Sequence, residues 1–142
     1  MTLIKSISGI RGTIGGKPGE SLSPIDAVKF GCAYGTWIKN NSKDSNISIV
    51  IGRDARISGE MIQNLVQNSL LSLGINVIDI GLSTTPTVEL MVKKYNANGG
   101  IVITASHNPA NWNALKLLDK NGEFLNNKSG QEIIKISESN SY

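Results

Sequence analysis

Between Ile47 and Thr104 the chain alternates short apolar runs with longer amphipathic ones, and this constrains the fold more than any other feature. Ile47 to Ile51, Ile75 to Ile80 and Gly99 to Thr104 are runs of the length and apolarity of strands buried in a parallel sheet. Between the first two, a stretch from about Gly59 to Leu73 places Ile62, Leu65, Val66, Ser69 and Leu73 on one helical face, and Gly74 stops it. Between the last two, Pro86 to Tyr95 does the same with Val88, Met91, Val92 and Tyr95. Strand, helix, strand, helix, strand with short connections predicts a parallel sheet with right-handed crossovers. The loops at Gly52 to Arg56, Gly81 to Thr85 and Ala105 to Asn111 must then leave the same edge of that sheet, where open α/β folds bind ligands.

The flanks add elements to this frame. Met1 to Ser8 is an apolar-polar stretch with strand character, and Ser8 to Gly16 reads as a glycine-rich loop. Ser23-Pro24-Ile25-Asp26 supplies a helix N-cap, a proline at the first helical position and an acidic partner three residues on. The helix it opens carries Ala27, Phe30, Tyr34, Trp37 and Ile38 on one face and ends at Asn40 to Asp44. Further on, Asn113 to Lys120 and Glu123 to Leu125 flank Asn121-Gly122, a hairpin signal. The tail holds a weak helix around Ile133, Ile134 and Ile136.

No linker, repeat or low-complexity segment divides the 142 residues, so they read as one domain. Hydrophobic residues at 39% and charged residues at 18% are not the profile of a disordered chain. No apolar run approaches the roughly 20 residues of a bilayer span, and the N-terminus lacks a signal-peptide plan, so a cytoplasmic protein without membrane association is expected. The single cysteine, Cys32, forms no internal disulfide and reads as a small buried filler of a helix. A net charge of +3 suits anionic partners. Its basic residues are scattered, with neither a basic stripe nor stacking aromatics, so nucleic acid is not the expected partner; a few cations around a small phosphorylated ligand are compatible.

The segment Thr104-Ala105-Ser106-His107-Asn108-Pro109 puts a hydroxyl at the exit of a buried strand. Ser106 is thus a candidate acceptor, nucleophile or ligand contact, although a loop hydroxyl that caps a turn is the commoner arrangement. A hydrolytic triad fits poorly. His107, the one histidine, is adjacent to the serine, and the segment lacks the Gly-x-Ser-x-Gly elbow. In Gly9-Ile10-Arg11-Gly12, backbone amides and the fork of Arg11 could meet phosphate, or the glycines could simply make a turn. Lys116 alternates with Ala114 and Leu118 on a short strand, either as a solvated edge residue or as a charge aimed at the serine loop. Gly52-Arg53-Asp54 reads as an internal ion pair that fixes a loop.

Taken together, four motifs in order resemble the α-D-phosphohexomutases, the family of phosphoglucomutase, phosphomannomutase and phosphoglucosamine mutase. They are Ser8-Gly9-Ile10-Arg11-Gly12, the run from Gly52-Arg53-Asp54-Ala55-Arg56 to Gly59, Thr84-Thr85-Pro86-Thr87, and the serine segment followed by Asn113-Ala114-Leu115-Lys116. The resemblance implies a three-layer α/β/α domain with a mixed, mainly parallel sheet, the first domain of that family. It implies that Ser106 is a phosphoserine that exchanges its phosphoryl group with a hexose or hexosamine phosphate through a bisphosphorylated sugar. Arg11 and Lys116 match positions that meet the transferring charge, His107 a position beside the phosphoserine, and Mg²⁺ would contact an oxygen on Ser106.

Two small departures stand at Ser8 and Ala114, where the family often has aspartate and glycine. A larger one is the lack of an Asp-x-Asp-x-Asp-Arg segment, which the family's second domain uses to hold Mg²⁺. The expectation is therefore a domain that works with the remaining domains of the same polypeptide and turns over negligibly alone. The competing expectation is a stand-alone, noncatalytic module that binds a sugar phosphate or a protein.

Overall fold

The computed structural model describes residues 1–7 and 9–142; the expectation placed on Ser8 lies outside the described residues. Strand β1 is Ile4–Ser6 and β2 is Gly9–Thr13. Helix α1 spans Pro24–Asn41 and begins where expected, because Ser23 and Asp26 form a capping box. The Ser23 hydroxyl accepts the Asp26 N–H at 3.3 Å, and the Asp26 carboxylate accepts the Ser23 N–H at 3.2 Å. That carboxylate also accepts the Gly19 N–H at 3.0 Å, so a buried acid ties the preceding loop to the helix start. Next come β3 (Ser48–Arg53), α2 (Gly59–Ser72), β4 (Asn76–Leu82), α3 (Thr85–Lys94), β5 (Gly99–Ile103), β6 (Trp112–Leu118) and α4 (Asn127–Ser139).

Six strands form one sheet in the order β1-β2-β6-β5-β3-β4. β3 pairs parallel with both β4 and β5, the expected βαβαβ unit. β5–β6, β6–β2 and β2–β1 are antiparallel, so the sheet is mixed and its parallel share is confined to one half. The larger antiparallel half follows from a correction. The segment from Ser8 to Gly16, read as a glycine-rich loop, contributes β2 between β1 and β6. Its glycines serve close approach within a strand: a Cβ on Gly12 would lie 2.7 Å from the Leu22 nitrogen. The turn itself falls at Gly15 and Gly16, with φ of 86° and 94°.

A second correction concerns the hairpin. Gly122 turns the chain with φ of 73°, but only a single bridge, Leu118 to Phe124, forms beyond it. Asn126 then caps α4 by accepting the Ser129 N–H at 2.9 Å, and this commits the chain to a helix. That helix is longer than the tail's weak apolar pattern suggested.

Helices α1, α2 and α4 cover one sheet face around Ile10, Ile49, Ile51, Ile101, Ile103, Leu115 and Leu117. On the other face α3 packs on β3 and β5, with Val88 and Val92 against Val50, Val102 and Leu118. This is the expected three-layer α/β/α arrangement. Cys32 is buried in α1, as expected, and desolvation raises its thiol pKa above the ordinary value. No helix among the described residues is long and apolar enough to cross a membrane.

Tyr34 reaches from α1 through the core to the seam between β5 and β6. Its hydroxyl accepts the Gly100 N–H at 3.0 Å and donates to the Leu118 carbonyl at 2.6 Å. Burial holds this phenol neutral, with its pKa well above the ordinary value. Tyr34→Phe leaves those backbone groups short of a partner and is expected to cost about 1–3 kcal/mol, measured by urea unfolding. An unchanged unfolding midpoint would show that the seam does not depend on the hydroxyl.

Candidate functional site

Because β3, β4 and β5 run parallel, their C-terminal ends lie on one edge, and hydrogen bonds tie their loops together there as the sequence pattern requires. The Ser83 N–H donates to the Arg53 carbonyl at 2.9 Å and the Asp54 N–H to the Ile103 carbonyl at 3.1 Å. The antiparallel strand β6 starts at this edge, so the serine segment is the connection from β5 into β6. β2 ends there too, where the Ile14 N–H donates to the Asn111 carbonyl at 2.8 Å.

Ser106 is exposed, with a φ of 54°. For a residue with a side chain this left-handed conformation costs roughly 1–2 kcal/mol and persists only where the surroundings impose it. Here they do. The Ser106 N–H donates to the Thr104 hydroxyl at 3.0 Å, and that hydroxyl donates to the Asp54 carboxylate at 2.5 Å. The Ser106 carbonyl accepts Nη2 of Arg56 at 2.7 Å. A chain turned back on itself at Asn108, whose N–H donates to the Ala105 carbonyl at 3.0 Å, completes the loop.

Arg56 is the residue that sequence reasoning missed. Its guanidinium donates to the carbonyls of Ser106, Asn108, Pro109 and Trp112 at 2.7–3.0 Å, and its Nε to the Asp54 carboxylate at 3.2 Å. The expected loop-fixing ion pair therefore exists with a different arginine. Arg53 sends its stem to the start of α2, 3.3 Å from the position of a Cβ on Gly59, and its guanidinium donates to the Asp54 carbonyl at 3.3 Å. The one available signal was the spacing Asp54-x-Arg56 in a loop facing another loop. Buried Asn113 also braces this edge, donating to the Ser58 hydroxyl at 2.9 Å.

The expected cations stand on the sheet beside this loop. Ile10, Leu115 and Leu117 point into the larger core, so by strand alternation Arg11, Ala114 and Lys116 share the opposite face. Arg11 pairs with Ala114, whose carbonyl accepts the Thr104 N–H at 3.2 Å; Lys116 pairs with Gly9 on one side and Val102 on the other. The structure thus brings Arg11 and Lys116 onto neighbouring strands of one face, level with the strand that leads into Ser106. Arg11 is exposed and Lys116 half-buried, and neither forms an ion pair among the described residues. His107 is exposed next to the serine. An accessible hydroxyl at the edge of a sheet whose face carries two such cations can accept, hold or pass on an anionic group. Among the described residues no three acidic, histidine or cysteine side chains gather as metal ligands.

Comparison with known proteins bears on this arrangement. Residues 3–142 match the family model described as phosphoglucomutase/phosphomannomutase, alpha/beta/alpha domain I. A phosphoglucomutase/phosphomannomutase of Thermococcus kodakarensis is 44% identical over 116 residues, which cover 80% of this chain and 25% of that protein. A phosphoglucosamine/phosphogalactosamine mutase of Sulfurisphaera tokodaii is 39% identical over 88% of the chain and 26% of its own length. The chain thus spans about a quarter of each relative. In fold it is similar to a phosphoglucomutase/phosphomannomutase family protein of Burkholderia thailandensis, with a TM-score of 0.81, 23% identity, and 98% of this chain and 30% of that one covered.

From the geometry alone, inorganic phosphate titrated into the ¹⁵N-labelled chain is expected to shift the amides of Ser106, His107, Arg11 and Lys116. The shifts weaken as salt rises, because the two cations are solvent-accessible. Shifts confined to other parts of the surface would show that this face does not attract anions.

Proposed function

The chain belongs to the phosphoglucomutase/phosphomannomutase family as its α/β/α domain I, and from that premise we propose that Ser106 is the phosphoryl carrier of a hexose-phosphate mutase. The observation that carries the reading is an exposed serine held at a φ of 54° beside a sheet face bearing Arg11 and Lys116.

In this reading phosphorylated Ser106 gives its phosphoryl group to a hydroxyl of a hexose monophosphate. The P–O bond to Oγ breaks as the bond to the sugar oxygen forms, and the sugar's proton leaves with a base. The bisphosphorylated sugar reorients, and Ser106 takes back the other phosphoryl group, so that phosphate moves between the 1- and 6-positions. A covalent carrier divides one difficult transfer into two in-line displacements, and each needs positive charge on the moving group. In this reading Arg11 and Lys116 supply that charge, and one of them also takes part in proton transfer. His107 orients the phosphoserine or the sugar hydroxyl.

Substrate choice is supported only as a class. The names of the relatives span gluco-, manno- and hexosamine phosphates, so the proposed substrate is a hexose or hexosamine phosphate. The mutase acts in the cytoplasm, and this domain works with the remaining domains of a longer polypeptide, a reading supported by relatives of about four times its length. Alone it turns over negligibly. The described residues do not make a metal site: Asp54, the acid in the converging loops, is engaged by Arg56 and Thr104. Any Mg²⁺ would touch this chain only through phosphate on Ser106, with its other ligands from outside the 142 residues.

Intact-mass analysis of the full-length protein treated with glucose 1,6-bisphosphate is expected to show one phosphate, mapped to Ser106 and absent from Ser106→Ala. Phosphate on another residue, or an active Ser106→Ala protein, would overturn the assignment. Steady-state kinetics separates the two cations from mere binders: Arg11→Ala and Lys116→Ala are each expected to lower kcat by roughly 10²-fold or more. A rise in KM alone would reduce them to substrate anchors.

A further inference from the structure

The loop after β3 supplies no group that touches a reacting atom in this mechanism, yet it holds Ser106 from both sides. A closed circuit of hydrogen bonds runs from the Ser106 N–H to the Thr104 hydroxyl at 3.0 Å, on to the Asp54 carboxylate at 2.5 Å, across to Nε of Arg56 at 3.2 Å, and from Nη2 back to the Ser106 carbonyl at 2.7 Å. Three further bonds from the same guanidinium reach the carbonyls of Asn108, Pro109 and Trp112 at 2.8–3.0 Å. The side chain is 12% exposed, so its charge is spent inside the loop.

The circuit accounts for the conformation of the serine. A residue with a side chain does not rest at a φ of 54° by preference, and an exposed loop has little packing to impose it. Here one planar fork draws carbonyls from both ends of the loop to a single point, while Asp54 fixes the fork's orientation and, through Thr104, the serine's own N–H. An ammonium group cannot replace this, because it lacks the fixed in-plane set of donors.

We propose that Arg56, acting with Asp54 and Thr104, is the positioning residue that sets the rate of phosphoryl exchange at Ser106 by fixing the backbone that carries Oγ. It touches no substrate. The proposal rests on the reading of Ser106 as phosphoryl carrier.

Its test compares Arg56→Lys, Thr104→Val and Thr104→Ser in the full-length protein, following phosphorylation of Ser106 by glucose 1,6-bisphosphate with rapid quenching and intact mass. Arg56→Lys and Thr104→Val are expected to slow the transfer and lower kcat by about 10²-fold, with KM within about threefold of wild type, as misplacement of a reacting atom does. The endpoint stays at one phosphate per chain, whereas a merely structural defect would lower the endpoint with the folded fraction. Thr104→Ser, which keeps the hydroxyl, is expected to restore the rate. Equal rates in all three variants, or a lowered endpoint with an unchanged rate, would overturn the proposal.

A second arm needs no substrate. Hydrogen exchange of residues 105–112 in the 142-residue chain should quicken in Arg56→Lys and Thr104→Val and remain slow in Thr104→Ser. Unchanged exchange would overturn the circuit as the device that holds the loop. Wild-type protein that takes no phosphate at Ser106, with exchange responding as expected, would remove the mutase reading and its rate-setting step while leaving the loop clamp in place.

Discussion

The arrangement of the site depends on β5, the strand on which the sheet changes direction. All of Gly99–Ile103 is buried, between a parallel neighbour, β3, and an antiparallel one, β6. The crowding is severe enough that a Cβ on Gly100 would stand 2.7 Å from a methyl of Val92 on α3. On the opposite side Tyr34 fastens the same residue to the seam with β6. A strand clamped on both faces and paired on both edges cannot slide, because a shift of one residue would turn every side chain to the other face. Since β6 returns at once beside β5, the serine segment is anchored at both ends by the most constrained part of the sheet.

The cations of this edge divide into two kinds, and hydrogen-bond partners are what separate them. Arg56 directs its donors to four carbonyls and a carboxylate, so nothing remains to offer a ligand. Arg11 and Lys116 have no such partners among the described residues, and they stand on a sheet face that α3 covers mainly over β3 and β5, reaching Leu118 at the far end of β6. Charge density near the serine looks the same in sequence whichever kind supplies it. In space, one arginine shapes the backbone while the other two groups keep their field for whatever approaches.

How far the sequence revealed this follows from where the information resides. The βαβαβ unit was legible because short apolar runs and amphipathic runs have different periods, and α1 because Ser23, Pro24 and Asp26 mark a helix start by side-chain chemistry. β2 was not legible: Gly9 and Gly12 are there because neighbouring backbone comes close, which is a property of the packed sheet and leaves the same letters as a turn. The partners of Arg56 were hidden for a similar reason, since carbonyls have no sequence signature and the loop that offers them lies some fifty residues away, as with Ser106 at a separation of 50. Lys116 stood between two readings on pattern alone, and only the register with Gly9 and Val102 set it on the face shared with Arg11.

That shared face carries the functional argument furthest. In a three-layer sandwich both faces of the sheet are ordinarily covered, because an apolar face left bare loses the stabilisation that burial provides. Here one face holds the larger core, while the part of the other face over β2 and β6 carries exposed Arg11 and half-buried Lys116 around the small, buried Ala114 instead of large apolar side chains. It therefore has less to lose by remaining open, and its charges are better satisfied by water or an anion than by a packed helix. Stability and chemistry are thus assigned to opposite sides of the same strands: Leu115 and Leu117 hold β6 in place from below, and that hold keeps Lys116, between them in sequence, at a fixed point above.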